Sequence, residues 1–107
     1  MSAPAPVLAI SEAELLANVR DTCRTLRVLC YHTHDSRRSP SGYPDLTIAG
    51  PGGVLFRELK RTTGRLTPEQ RQWLDALRQA GADADVWRPA DLHTGRIVTE
   101  LRTIARK

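Results

Sequence analysis

"SGYPDLTIAGPGGVLFRELK", residues 41–60, decides the fold. Two short apolar runs, Leu46 to Ala49 and Val54 to Leu59, flank Gly50-Pro51-Gly52-Gly53, whose glycines supply the positive φ of a tight turn, so the stretch reads as a β-hairpin. Charged residues interrupt it, among them Asp45, Glu58 and Lys60. With the turn centred between Pro51 and Gly52, antiparallel pairing joins residues whose numbers sum to about 103 and sets Asp45 opposite Glu58. Lys60 follows Glu58 by two positions on the same strand and points to the same face. A slip of one residue would turn Glu58 away from Asp45.

Upstream, residues 1–10 are rich in Ala and Pro and read as a loose arm, leaving 11–107 as a single domain. Ser11 reads as an N-cap with Glu14 as its capping-box partner. Leu15, Leu16, Val19, Cys23 and Leu26 then recur at helical spacing up to Arg27, and Glu12 projects from that apolar face. Arg27 to His34 is short and rich in β-formers, so it reads as a strand with His32 and His34 on one side. Asp35 to Tyr43 is a polar loop. Downstream of the hairpin, Thr67-Pro68-Glu69-Gln70 is a helix start with Thr67 as N-cap, and the helix runs to Gly81. Trp73, Leu74, Leu77 and Ala80 form its inward face, with Gln70 one turn earlier on the same side. Asp85 to Arg88 reads as a further strand and Ile97 to Ile104 as an amphipathic terminal helix. The expected architecture is α/β, a mixed sheet flanked by helices, in the order α-β-β-β-α-β-α.

Two carboxylates facing one another across strands repel, and such a pair calls for a cation or a raised pKa. Oxygen ligands without a thiolate or histidine cluster suit Mg²⁺, or Mn²⁺ in its place, which keep several waters and accept phosphate oxygens. Lys60 beside them would orient or deprotonate a water, or stabilise charge in a phosphoryl transition state, so the set suits phosphodiester hydrolysis. The plainer alternative is that Asp45 caps a strand while Glu58 and Lys60 are solvated edge residues. Against it, the inward Glu12 and the inward Gln70 converge on the same place from two other elements.

At 107 residues and 40% hydrophobic composition the chain suits one core. It has no run of about 18 apolar residues and no signal-peptide pattern, so a cytoplasmic protein of a bacterial or phage-infected cell without membrane contact is expected. Cys23 and Cys30 lack Cys-x-x-Cys spacing and read as buried free thiols. The net charge of +4 favours an anionic partner such as nucleic acid. All but two of the 16 basic residues, Lys60 and Lys107, are arginine. Arg37, Arg38, Arg61 and Arg65 fall in the two loops flanking the charged hairpin, placed to grip a DNA backbone through counterion release, and Tyr43 is placed to stack on a base or sugar. His32, His34 and His93 read first as ordinary packing or surface groups, and Trp73 and Trp87 as core anchors.

Gly42-Tyr43-Pro44-Asp45, twelve intervening residues, Glu58-Leu59-Lys60, and then Leu66-Thr67-Pro68-Glu69-Gln70 resemble the PD-(D/E)XK nuclease superfamily. Within it the chain is most similar to the VRR-NUC domain in its small stand-alone form of phages and bacteria, over about Ser11 to Leu92. The resemblance implies a restriction-endonuclease-like core and metal-dependent DNA cleavage by a water nucleophile. It further implies Asp45, Glu58 and the backbone carbonyl of Leu59 as metal ligands, Lys60 as the catalytic lysine, Glu12 (or its rival Glu14) completing the acidic pocket, and Gln70 orienting phosphate or lysine. A homodimer cutting branched DNA, as a Holliday-junction resolvase does, is the expected form. The alternatives are a catalytically inactive DNA-binding module and a partner-dependent subunit of a larger nuclease complex.

Overall fold

The computed structural model describes residues 5–34 and 38–107. One helical turn, α1 (Ala5–Leu8), lies in the stretch expected as a loose arm, and its Leu8 carbonyl accepts from Thr62 Oγ1 at 2.6 Å. Helix α2 (Glu12–Leu26) begins where its capping box predicts: Glu14 N–H donates to Ser11 Oγ at 3.1 Å, and Ser11 N–H to Glu14 Oε1 at 3.0 Å. It buries Leu15, Val19 and Cys23, and Arg27 ends it in the left-handed conformation at φ 59°. Strands β1 (Leu29–His32), β2 (Leu46–Gly50) and β3 (Gly53–Leu59) follow. Helix α3 (Pro68–Gln79) crosses to β4 (Asp83–Trp87), and the short α4 (Pro89–His93) precedes α5 (Arg96–Ala105). The expected element order therefore holds, with α1 and α4 added. At four and five residues each, neither is long enough to show a helical period.

The strands form one mixed sheet in the order β1-β2-β3-β4, antiparallel except for the β3–β4 pair. The hairpin register runs from Leu46 opposite Arg57 to Gly50 opposite Gly53, as the turn position predicts. Period-two alternation then sends Leu46, Ile48, Leu55 and Leu59 to one face, where α2 and α5 cover them with Leu15, Val19, Ile97, Leu101 and Ile104. Phe56 and Glu58 point to the other face, towards α3, whose Trp73, Leu74 and Leu77 turn inward while Ala80, expected among them, is exposed. Among the described residues no helix is long and apolar enough to cross a membrane. Cys23 is buried and Cys30 half-buried, both as free thiols.

One core position holds a cation. Arg57 is 1% exposed, and its guanidinium reaches Asp83 Oδ1 at 2.8 Å and Glu100 Oε1 at 2.9 Å while donating to the carbonyls of Phe56 and Asp83. It also lies over the Trp87 ring at 5.2 Å, and Trp87 Nε1–H donates to the same Glu100 Oε1 at 2.8 Å. A buried guanidinium is tolerated only when such partners replace its water, so β3, β4 and α5 are locked by one set of contacts.

The end of α5 docks on the hairpin turn: Gly52 N–H donates to the Ile104 carbonyl at 2.8 Å. A Cβ on Gly50 would overlap that carbonyl oxygen, so α5 reaches the turn only because no side chain is there. Gly50→Ala is expected to cost about 2 kcal/mol, on the order of 10 °C in Tm for a domain of this size. Calorimetry of the purified variant checks this, and an unchanged Tm would mean that the dock is not required.

Candidate functional site

The backbone ladder between β2 and β3 ends at Leu46 and Arg57, and side chains close the next pair. Leu59 N–H donates to Asp45 Oδ2 at 2.7 Å, and Asp45 N–H donates to Glu58 Oε1 at 3.2 Å. From the other side, Thr33 N–H donates to the Asp45 carbonyl at 2.8 Å and Thr33 Oγ1 to the Pro44 carbonyl at 2.9 Å. Asp45 is thereby held between the end of β1 and the end of β3. These bonds to main-chain N–H groups fix both carboxyl groups in place.

Glu58 is 2% exposed. Its Oε2 accepts from Gln70 Nε2 at 2.8 Å and lies 3.9 Å from Lys60 Nζ. Burial, and then the nearby charge of Asp45, push the Glu58 carboxyl up to about 8, with Lys60 pulling the other way. Gln70 is engaged at both ends, because its Oε1 also accepts from Thr67 N–H at 2.9 Å in the α3 capping box. Its amide therefore orients Glu58, where the sequence reading has it orienting phosphate or Lys60. The glycine that opens Gly-Tyr-Pro-Asp has a steric cause: Gly42 sits at φ 97°, and a Cβ there would lie 2.5 Å from the backbone carbonyl carbon of Glu69. Close approach of this loop to the first turn of α3 is what brings Gln70 within reach of Glu58.

Glu12, Leu16, His32, Leu59 and Asp45 line a small hollow of about 230 Å³ on the α2 side. Glu14 is committed to Ser11, so Glu12 is the glutamate of this helix that faces the site. His32 has its pKa lowered by burial and by Arg20, and its ring lies 5.2 Å from that of His34. Tyr43 places its hydroxyl 3.3 Å from Thr47 Oγ1 and its ring edge-on to Trp73 and Phe56. Arg61 and Arg65 are exposed on the connector after Lys60, whose backbone Arg88 pins by donating to the carbonyls of Arg61 at 2.9 Å and Gly64 at 2.7 Å. Arg38 is exposed on the opposite loop, and Arg37 lies outside the described residues. The contact of Gln70 with Glu58 and the pinning by Arg88 were not legible in the sequence, since both need the tertiary approach of separate elements.

Among the described residues no three His, Cys, Asp or Glu side chains gather into a metal-binding group. The donors at hand are the two carboxylates and main-chain oxygen at the end of β3. All are hard oxygens, and they suit an ion that keeps most of its coordination as water, as Mg²⁺ does. A buried carboxyl with a raised pKa beside a second carboxylate is the electrostatic conflict a divalent cation relieves, so the residues present fit such an ion.

A family model described as VRR-NUC domain matches residues 3–91. Among solved structures, a VRR_NUC domain is similar at 22% identity with a TM-score of 0.68, over 82% of this chain and 94% of the other. A VRR_NUC domain protein is similar at 20% identity with a TM-score of 0.67, over 90% of this chain and 91% of the other. No curated protein matches the chain.

The raised pKa has a sign. Folded Glu58 holds its proton more tightly than unfolded Glu58, so its contribution is fully present below the ordinary value of 4.5 and is lost as pH rises through about 8. Asp85 and Glu100 are shifted down and act only below the ordinary carboxylate range. In chelator, the denaturation midpoint should therefore fall between about pH 5 and pH 8.5, and Glu58→Gln should flatten that slope. An equal slope in both proteins would assign the titration elsewhere.

Proposed function

The chain belongs to the VRR-NUC domain family and has its nuclease-type fold, and from that premise we propose that it is a metal-dependent endonuclease hydrolysing DNA phosphodiester bonds. One observation carries the reading: Asp45 and Glu58 share a site with Lys60 3.9 Å from the second carboxylate. The carboxylates and the Leu59 carbonyl would hold Mg²⁺, or Mn²⁺ in its place, with Glu12 facing the same site across the hollow. When bound, the ion would supply Lewis-acid polarisation of the phosphate and favour ionisation of the attacking water. Lys60 orients that water for in-line attack and holds charge as it develops on the phosphoryl oxygens. Gln70 keeps Glu58 turned towards the site through its 2.8 Å bond.

Arg38, Arg61 and Arg65 supply phosphate contacts on the two sides of the site, consistent with the net charge of +4. Branched DNA, with a four-way junction as the leading case, and a homodimer complete the reading, because two sites related by a two-fold axis can cut both strands of a junction.

Purified protein incubated with linear, flapped and four-way-junction DNA, with Mg²⁺, Mn²⁺ or chelator, tests the proposal. Cleavage should require metal, and Glu58→Ala and Lys60→Ala should each lower the rate at least about 100-fold while DNA binding persists. Normal cutting by either variant overturns the assignment of the site. Mg²⁺ should also raise the Tm of the wild type by linkage and leave that of Glu58→Gln nearly unmoved, a readout independent of turnover.

A further inference from the structure

Helix α3 covers only part of its face of the sheet. Cross-strand pairing puts Tyr31 beside Thr47 and Thr47 beside Phe56, so these three form a row on that face. The next row holds Leu29, Ala49 and Val54. Leu29 is 78% exposed, Tyr31 65% and Val54 44%, the large apolar side chains most open to solvent among the described residues. Tyr43 stands edge-on to Phe56 at 6.5 Å and to Trp73 at 5.1 Å, forming an aromatic wall along the N-terminal half of α3.

Between that wall and Tyr31 lies a hollow of about 790 Å³, within the ~300–1,000 Å³ that ligand sites span. Tyr31, Thr33, Ser41, Tyr43, Trp73 and Asp45 line it. Asp45 is the only acidic group among the described lining residues, so the hollow opens directly beside the proposed metal site.

We propose that this hollow receives an unpaired nucleobase of the DNA next to the scissile phosphate, stacked on Tyr31 against the Tyr43–Trp73 wall. The proposal rests on the nuclease reading for the position of that phosphate and goes beyond it in naming single-stranded DNA at the site. The chemistry matches in three respects. Every base offers a π face, and aromatic platforms with hydroxyls around them hold bases without sequence preference. The hollow is concave, which favours a small flat group over the broad apolar face of another protein. Its contact with Asp45 means that whatever occupies it is continuous with what is bound at the carboxylates. A second copy of this chain laid on Leu29, Tyr31 and Val54 is the rival occupant, and the test includes it.

The experiment uses flapped and nicked duplexes carrying 2-aminopurine at single positions around the junction, bound in chelator so that nothing is cut. Adding protein should quench fluorescence at an unpaired position within a nucleotide or two of the junction and leave the already stacked, dim probe of fully paired duplex unchanged. Tyr31→Ala should abolish that quenching and weaken flap binding about tenfold, with duplex binding unchanged, and Tyr31→Phe should restore both. Because Tyr31 is exposed, the substitution leaves the fold intact, which Tm verifies. No quenching at any position, or quenching equal in Tyr31→Ala, overturns the proposal. So does a Tyr31→Ala protein that light scattering shows to be dissociated while its base stacking is unaltered, since the face would then belong to a second copy. Cleavage assays run in parallel keep the two readings apart: quenching without any metal-dependent cutting leaves a base-binding site and removes the nuclease, whereas cutting without quenching does the reverse.

Discussion

Two main-chain N–H groups, those of Asp45 and Leu59, are satisfied by carboxylates where the hairpin ladder runs out, and the candidate site depends on that exchange. It places two acids side by side in a poorly solvated corner, an arrangement that repulsion opposes. What holds it is geometric: the N–H donors are fixed by strands, Thr33 holds Asp45 from the far side, and Gln70 restrains Glu58 from α3. The proton that Glu58 retains near neutral pH is the folded protein's own answer to the repulsion, and a divalent ion would displace it.

Adjacent residues of β3 do opposite work because the pleat turns them to opposite faces. Arg57 points into the α2–α5 side and is neutralised by Asp83 and Glu100, while Glu58 points towards α3 and is left with a distant Lys60. Both side chains are nearly inaccessible, yet one is fully paired and the other is not. A buried charge with complete partners is structural; a buried acid whose near neighbour is another acid is where chemistry is to be sought.

Much of this was readable from residue order. The hairpin register followed from the turn glycines, since a two-fold side-chain period leaves little freedom once one face is apolar, and both capping boxes announced their helices. Arg57 was not readable, because within LFREL its charge looks like any other edge residue and its partners, Asp83 and Glu100, arrive from elements far along the chain. The role of Gln70 was half readable: its inward direction followed from helical spacing, but its partner depended on how closely the loop at Gly42 lets α3 approach. Helix α4 carried too few residues to declare a period, and the strand before it begins at Asp83, two residues ahead of the expected Asp85.

The hairpin is fastened at both extremities from outside, by the α5 carbonyl on its turn and by Thr33 and Gln70, which hold Asp45 and Glu58 at its open end. A ribbon anchored at only one end frays from the other, but here neither end can open before an element outside the hairpin lets go. Amide protons of Ile48, Leu55 and Arg57 should consequently exchange with solvent only through whole-molecule opening, which makes the strand pair that carries the site the slowest-breathing unit of the domain.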